Sequence, residues 1–128
     1  MSYTIKELLD SNRFPKMDLI SDNSGIDREI KAIRIIEVSD MERYLTGGEL
    51  LLTSLKAYED TSEQEFQQHL EAFIKLQISG FIVKRIQQTE QQKRQFALLM
   101  QYSKKYHLPV IEIPQDFYYW EIIKYVLT

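Results

Sequence analysis

The sequence predicts an α/β fold, a single domain built on a mostly parallel sheet of about four to five strands with helices packed on it. Three strand-length apolar runs, Glu49-Leu50-Leu51-Leu52-Thr53, Phe81-Ile82-Val83 and Pro109-Val110-Ile111-Glu112-Ile113-Pro114, alternate with two amphipathic stretches of helix length. Strand, helix, strand, helix, strand at that spacing argues for right-handed crossovers and parallel pairing. The central runs are continuously apolar rather than alternating, as in strands covered on both faces. With 128 residues the chain is long enough for one domain with a real core and too short for two.

Each element has a local cause. Thr4-Ile5-Lys6-Glu7 reads as a capping box that opens a short helix through Leu8 and Leu9. Asn23-Ser24-Gly25 marks a turn, and Ile30 to Val38 is a β-branched strand with both faces expected to be buried. Ser39-Asp40-Met41-Glu42 is a second capping box starting a short helix through Leu45, and Thr46-Gly47-Gly48 ends it. Thr61 and Gln64 are the expected cap of a long helix with Phe66, Leu70, Phe73 and Ile74 on one face and a Glu71–Lys75 surface pair, stopped by Ser79-Gly80. Thr89 and Gln92 cap the next helix, whose apolar stripe is Phe96, Leu99 and Met100. From Phe117 to Leu127 only Glu121 and Lys124 are charged, so this last helix should be covered on more than one side. It is expected to continue into another domain or to meet a second subunit, with Tyr119, Trp120, Ile123 and Val126 as interface residues.

Composition removes several classes of function. The chain has 44% apolar and 27% charged residues and no Cys, which excludes a disulfide framework, a thiolate metal site and a cysteine nucleophile. No apolar run approaches the about 20 residues of a membrane helix, and the N-terminus lacks a secretory leader, so the expected location is the cytoplasm without membrane contact. Net charge is −3, and neither half carries the basic stripe that gripping nucleic acid requires. The phosphate loop GxxxxGK[ST], HExxH, GxSxG and GxGxxG are all missing. His69 lies at the edge of a helix's polar face and His107 in the turn before Pro109, and both read as solvated or locally bonded. No catalytic residue, metal ligand or cofactor is therefore assigned.

In an open parallel sheet, ligands settle at the carboxyl ends of the strands. Those ends carry Glu37, Ser39, Asp40, Thr53, Ser54, Lys84, Arg85, Glu112 and Pro114, a mixed rim suited to a small polar molecule. The candidate ligand-binding residues are Asp40, Glu49, Thr53, Ser54 and Lys84. Each has a plainer reading beside it, Asp40 and Thr53 as caps or turn formers and Lys84 as a solvated charge.

The runs Thr4 to Leu9, Gly25-Ile26-Asp27-Arg28, Ile35 to Asp40, Leu45 to Thr53, Phe81-Ile82-Val83-Lys84 and Leu108 to Pro114 resemble the N-terminal domain of the purine catabolism regulator (PucR) family of bacterial transcription factors. The likeness extends from about Thr4 to Leu127, and its most specific piece lies between Arg43 and Thr53. It departs where the family commonly continues its Leu-Thr-Thr run with Gly, since this chain reads Thr53-Ser54-Leu55-Lys56, and a loop of different shape is expected there. The resemblance implies a regulatory or sensor domain spanning residues 1–128 of a longer regulator, with DNA bound only through a C-terminal helix-turn-helix outside this chain. It implies a small-molecule effector, a purine catabolite or similar polar metabolite, and fits a homodimer. The alternatives are a ligand-free dimerisation or docking scaffold of the same regulator and, from another class, an enzyme acting on a purine-derived compound.

Overall fold

The Thr4 hydroxyl accepts from the Glu7 amide at 3.1 Å and so opens the first helix, as the capping box predicts. The computed structural model describes residues 3–36, 41–84 and 89–127. In chain order its elements are α1 (Ile5–Asp10), β1 (Asp18–Leu19), β2 (Ala32–Ile35), β3 (Glu49–Thr53), α2 (Glu63–Lys75), β4 (Gly80–Lys84), α3 (Glu90–Tyr106), β5 (Val110–Ile113) and α4 (Tyr119–Leu127). Short 3-10 helices at Met41–Tyr44 and Lys56–Tyr58 follow β2 and β3. The strands form one sheet in the order β1-β5-β4-β3-β2. β2 to β5 run parallel, with Ile35 opposite Leu52, Thr53 opposite Val83 and Lys84 opposite Ile113. β1 joins the β5 edge antiparallel.

Alternation along the strands sorts the core into two layers. Leu51, Phe81, Val83 and Val110 face Phe66, Leu70 and Phe73 of α2 and Leu99 of α3. Leu50, Leu52, Ile82, Ile111 and Ile113 face Ile5 and Leu8 of α1 and Ile122 of α4. Every side chain of β3 is buried, and each of its three leucines contributes about 2 kcal/mol of burial free energy. The α/β class, the mostly parallel sheet and the helices packed on it are as expected from sequence. Among the described residues no helix is long and apolar enough to cross a membrane.

Several local expectations are corrected. α2 is capped by Ser62, whose hydroxyl accepts from the Glu65 amide at 3.1 Å, not by Thr61. The Thr61 carbonyl instead accepts from Gln91 and Gln95 of α3. The same helix ends at Lys75 with Gln77 at φ 59°, two residues before Ser79-Gly80, and Gly80 already belongs to β4. Gly80 is needed for a different reason, since a Cβ there would meet the Pro109 carbonyl oxygen at 2.8 Å. β2 is an outer strand with Arg34 exposed, so its two faces are not both covered, and the charge guards an unpaired edge. Thr89 and Gln92 form their capping box as expected, but the buried side of α3 includes Gln92, Gln95 and Ser103 alongside Leu99. Glu37, Val38, Ser39, Asp40 and Arg85 lie outside the described residues, and with them the far end of the expected first strand and the cap of the following short helix.

Candidate functional site at the carboxyl edge of the sheet

Parallel strands give the sheet two unlike edges. At the amino edge, Glu49 begins β3 with its carboxylate fully buried and accepts from the amides of Thr46 and Gly47 at 2.7 Å each, and from the Thr46 hydroxyl at 3.3 Å. Gly47 and Gly48 take φ of 109° and 79°, which lets the loop fold back over the carboxylate. Nearby, the Ser79 hydroxyl donates to the carbonyls of Glu29 and Gly48. Arg28 donates to the carbonyls of Ile78 and Tyr106 at 3.0 and 3.1 Å. Glu49 is thus separated by the length of β3 from Thr53, Ser54 and Lys84, and it ties a loop to the sheet.

The carboxyl edge is built otherwise. Thr53 is buried, and its hydroxyl accepts from the Leu55 amide at 2.9 Å, closing a tight turn. Leu55 stands in the left-handed region at φ 68°, a conformation glycine adopts at little cost, and its buried side chain offsets the strain. This turn aims Ser54 and Lys56 outward. With Ile35, Ile36, Ala57 and Tyr119 they line a hollow of about 310 Å³, at the small end of the range for ligand pockets.

Tyr119, the first residue of α4, is turned inward to this edge. Its ring lies under the Lys84 ammonium, with Nζ 4.4 Å from the ring centroid, a cation–π contact joining β4 to α4. The Tyr119 hydroxyl is buried and has no hydrogen-bond partner among the described residues. Burial pushes its pKa well above the usual phenol range, which keeps it a neutral donor. The hollow thus offers an apolar floor, the Ser54 hydroxyl and the Lys56 ammonium, with the Lys84 ammonium and the buried Tyr119 hydroxyl beside it, which suits a small molecule bearing carbonyl or carboxylate oxygens. Among the described residues no group of three His, Cys, Asp or Glu side chains is placed to hold a metal.

Beside it lies a cluster that the sequence did not reveal. His69 of α2 is paired through Nδ1 with Glu42, both largely buried, so it is neither solvated nor bonded to a near neighbour in sequence. The Tyr58 ring meets Phe66 edge-on at 5.1 Å and lies tilted against His69 at 5.2 Å. Burial, and the charge of Glu42, push the Tyr58 phenol upward in pKa. His107 ends α3 at φ 59° and bonds through Nδ1 to the Ser24 hydroxyl at 3.0 Å.

Of the candidate ligand residues, the fold brings Thr53, Ser54 and Lys84 to one edge, sends Glu49 to the other, and Asp40 lies outside the described residues. Of the candidate interface residues, Ile123 and Val126 are half-buried against the α1 side of the sheet, and Tyr119 faces the strand ends. Trp120 is 57% exposed, and its neighbour Tyr118 is 64% exposed. Comparison with curated proteins finds no match. A family model does match, that of the purine catabolism regulatory protein-like family, over residues 7–128. That span takes in all five strands of the sheet and the helices α2, α3 and α4, and the chain belongs to the purine catabolism regulatory protein-like (PucR) family.

Proposed function

We propose that the chain is the effector-sensing domain of a cytoplasmic transcription regulator for purine or related catabolic genes. A small oxygen-rich metabolite settles at the carboxyl edge, held by Ser54, Lys84 and the Tyr119 hydroxyl, with Thr53 shaping the loop and Asp40 as a further candidate ligand residue. The observation that carries this reading is the buried hydroxyl of Tyr119, which has no partner among the described residues, because an unsatisfied buried donor is costly and a ligand oxygen would satisfy it. Tyr119 also opens α4, so a ligand that binds one placement of α4 better than another shifts the dimer or interdomain equilibrium. DNA is contacted by another part of a longer regulator.

The test is thermal unfolding of the chain with a panel of purine catabolites and small carboxylate- or amide-bearing metabolites. A ligand at about 100 times its dissociation constant adds roughly 2.7 kcal/mol, which raises the midpoint by roughly 10 °C in a domain of this size. Lys84→Ala and Tyr119→Phe should each abolish the selective rise. The exposure of Trp120 and Tyr118 favours a second reading, a ligand-free dimerisation scaffold. A flat panel together with a concentration-dependent dimer would establish that one instead.

A further inference from the structure

A cleft of about 540 Å³ lies away from the strand ends, between the segment that follows α1 and α4. Its wall is aromatic and already assembled. Phe14 meets Phe117 edge-on at 5.5 Å and Tyr125 at 5.6 Å, fixing the segment after α1 against α4. Trp120 completes the lining and remains 57% exposed.

The charge of the cleft opposes that of the chain. Arg13, Lys16 and Lys124 face a single carboxylate, Glu121, so the lining carries a net charge of +2 where the whole chain carries −3. Two of the cations are held over the rings, the Arg13 guanidinium 5.6 Å from the Tyr125 centroid and the Lys124 ammonium 5.7 Å from the Trp120 centroid.

We propose that this cleft is a second binding site, for a planar aromatic anion. A flat ring buries the exposed face of Trp120, and its negative charge falls within reach of Arg13, Lys16 and Lys124. A neutral ring would leave the net charge of +2 unanswered, and an anion without a ring would leave the aromatic wall wet. Neither Ser54, Lys84 nor Tyr119 lines this cleft, so it stands or fails separately from the effector site at the carboxyl edge.

Trp120 is the single tryptophan, so its indole N–H gives one isolated resonance in a proton–nitrogen correlation spectrum. The chain is titrated at constant ionic strength with indole-3-carboxylate, with indole and with acetate. The expected result is a saturable shift with indole-3-carboxylate, at least tenfold weaker binding of indole and no shift with acetate. Lys124→Gln and Arg13→Gln, both at the rim, should each weaken indole-3-carboxylate about fivefold, and Tyr119→Phe should leave it unchanged. The proposal is overturned if indole-3-carboxylate gives no saturable shift, if indole binds as well, or if both charge variants bind as the parent does. A resonance that moves only with protein concentration would overturn it too, by showing that a second copy covers Trp120.

Discussion

At the amino edge of the sheet Glu49, Ser79 and Arg28 each give their polar atoms to backbone groups, whereas at the carboxyl edge Lys84 rests on a ring and the Tyr119 hydroxyl has no partner among the described residues. The two edges hold similar residue types. What separates them is whether hydrogen-bonding capacity is spent inside the fold or left over. A polar group already satisfied by the backbone stabilises the chain and has little to offer a ligand, while an unsatisfied one costs stability that binding can return.

The sharpest way to break this contrast is Glu49→Ala, which strips two loop amides and a hydroxyl of their acceptor and should cost about 3 kcal/mol in urea unfolding. Arg28→Ala should follow with a loss of about 2 kcal/mol, since it leaves two carbonyls without their charged donor. At the other edge Thr53→Val, which removes one turn bond and keeps the shape, should cost only about 1 kcal/mol. Tyr119→Phe should move in the opposite direction and raise stability by up to about 1 kcal/mol, because it deletes a buried group that none of the described residues satisfies. Lys84→Ala should lie within about 0.5 kcal/mol of the parent by the same measurement. A loss of several kcal/mol at Tyr119 or Lys84, or none at Glu49, would erase the distinction between the edges.

How much of this was legible in the sequence follows from how local each cause is. The caps of α1 and α3 rest on four consecutive residues, and both were readable. Two adjacent hydroxyls, Thr61 and Ser62, each stand three residues before a Gln or Glu, so the cap of α2 was decided by tertiary structure, which draws the Thr61 carbonyl to Gln91 and Gln95 of α3. The same contact explains why Gln95 is buried, which an apolar stripe cannot reveal. β1 is only two residues long and exists because β5 offers it an edge.

At the site, the strand ends placed Thr53, Ser54 and Lys84 correctly in space, because parallel topology alone fixes which residues share an edge. That same topology sets Glu49 at the opposite end. Tyr119 under Lys84, and His69 beside Glu42, join residues far apart in sequence, and no spacing rule could have paired them. Where this chain departs from the family pattern, Leu55 takes the left-handed conformation itself, in the turn that the Thr53 hydroxyl closes.

That the carboxyl edge is kept for a ligand and the amino edge for the fold is tested by the metabolite-induced rise in unfolding midpoint, measured side by side in the parent, Tyr119→Phe and Ser79→Ala. The expected result is a selective rise of several degrees in the parent, the same rise in Ser79→Ala from a lower starting midpoint, and none in Tyr119→Phe. An equal rise in Tyr119→Phe, or a loss of the rise in a folded Ser79→Ala, would contradict it.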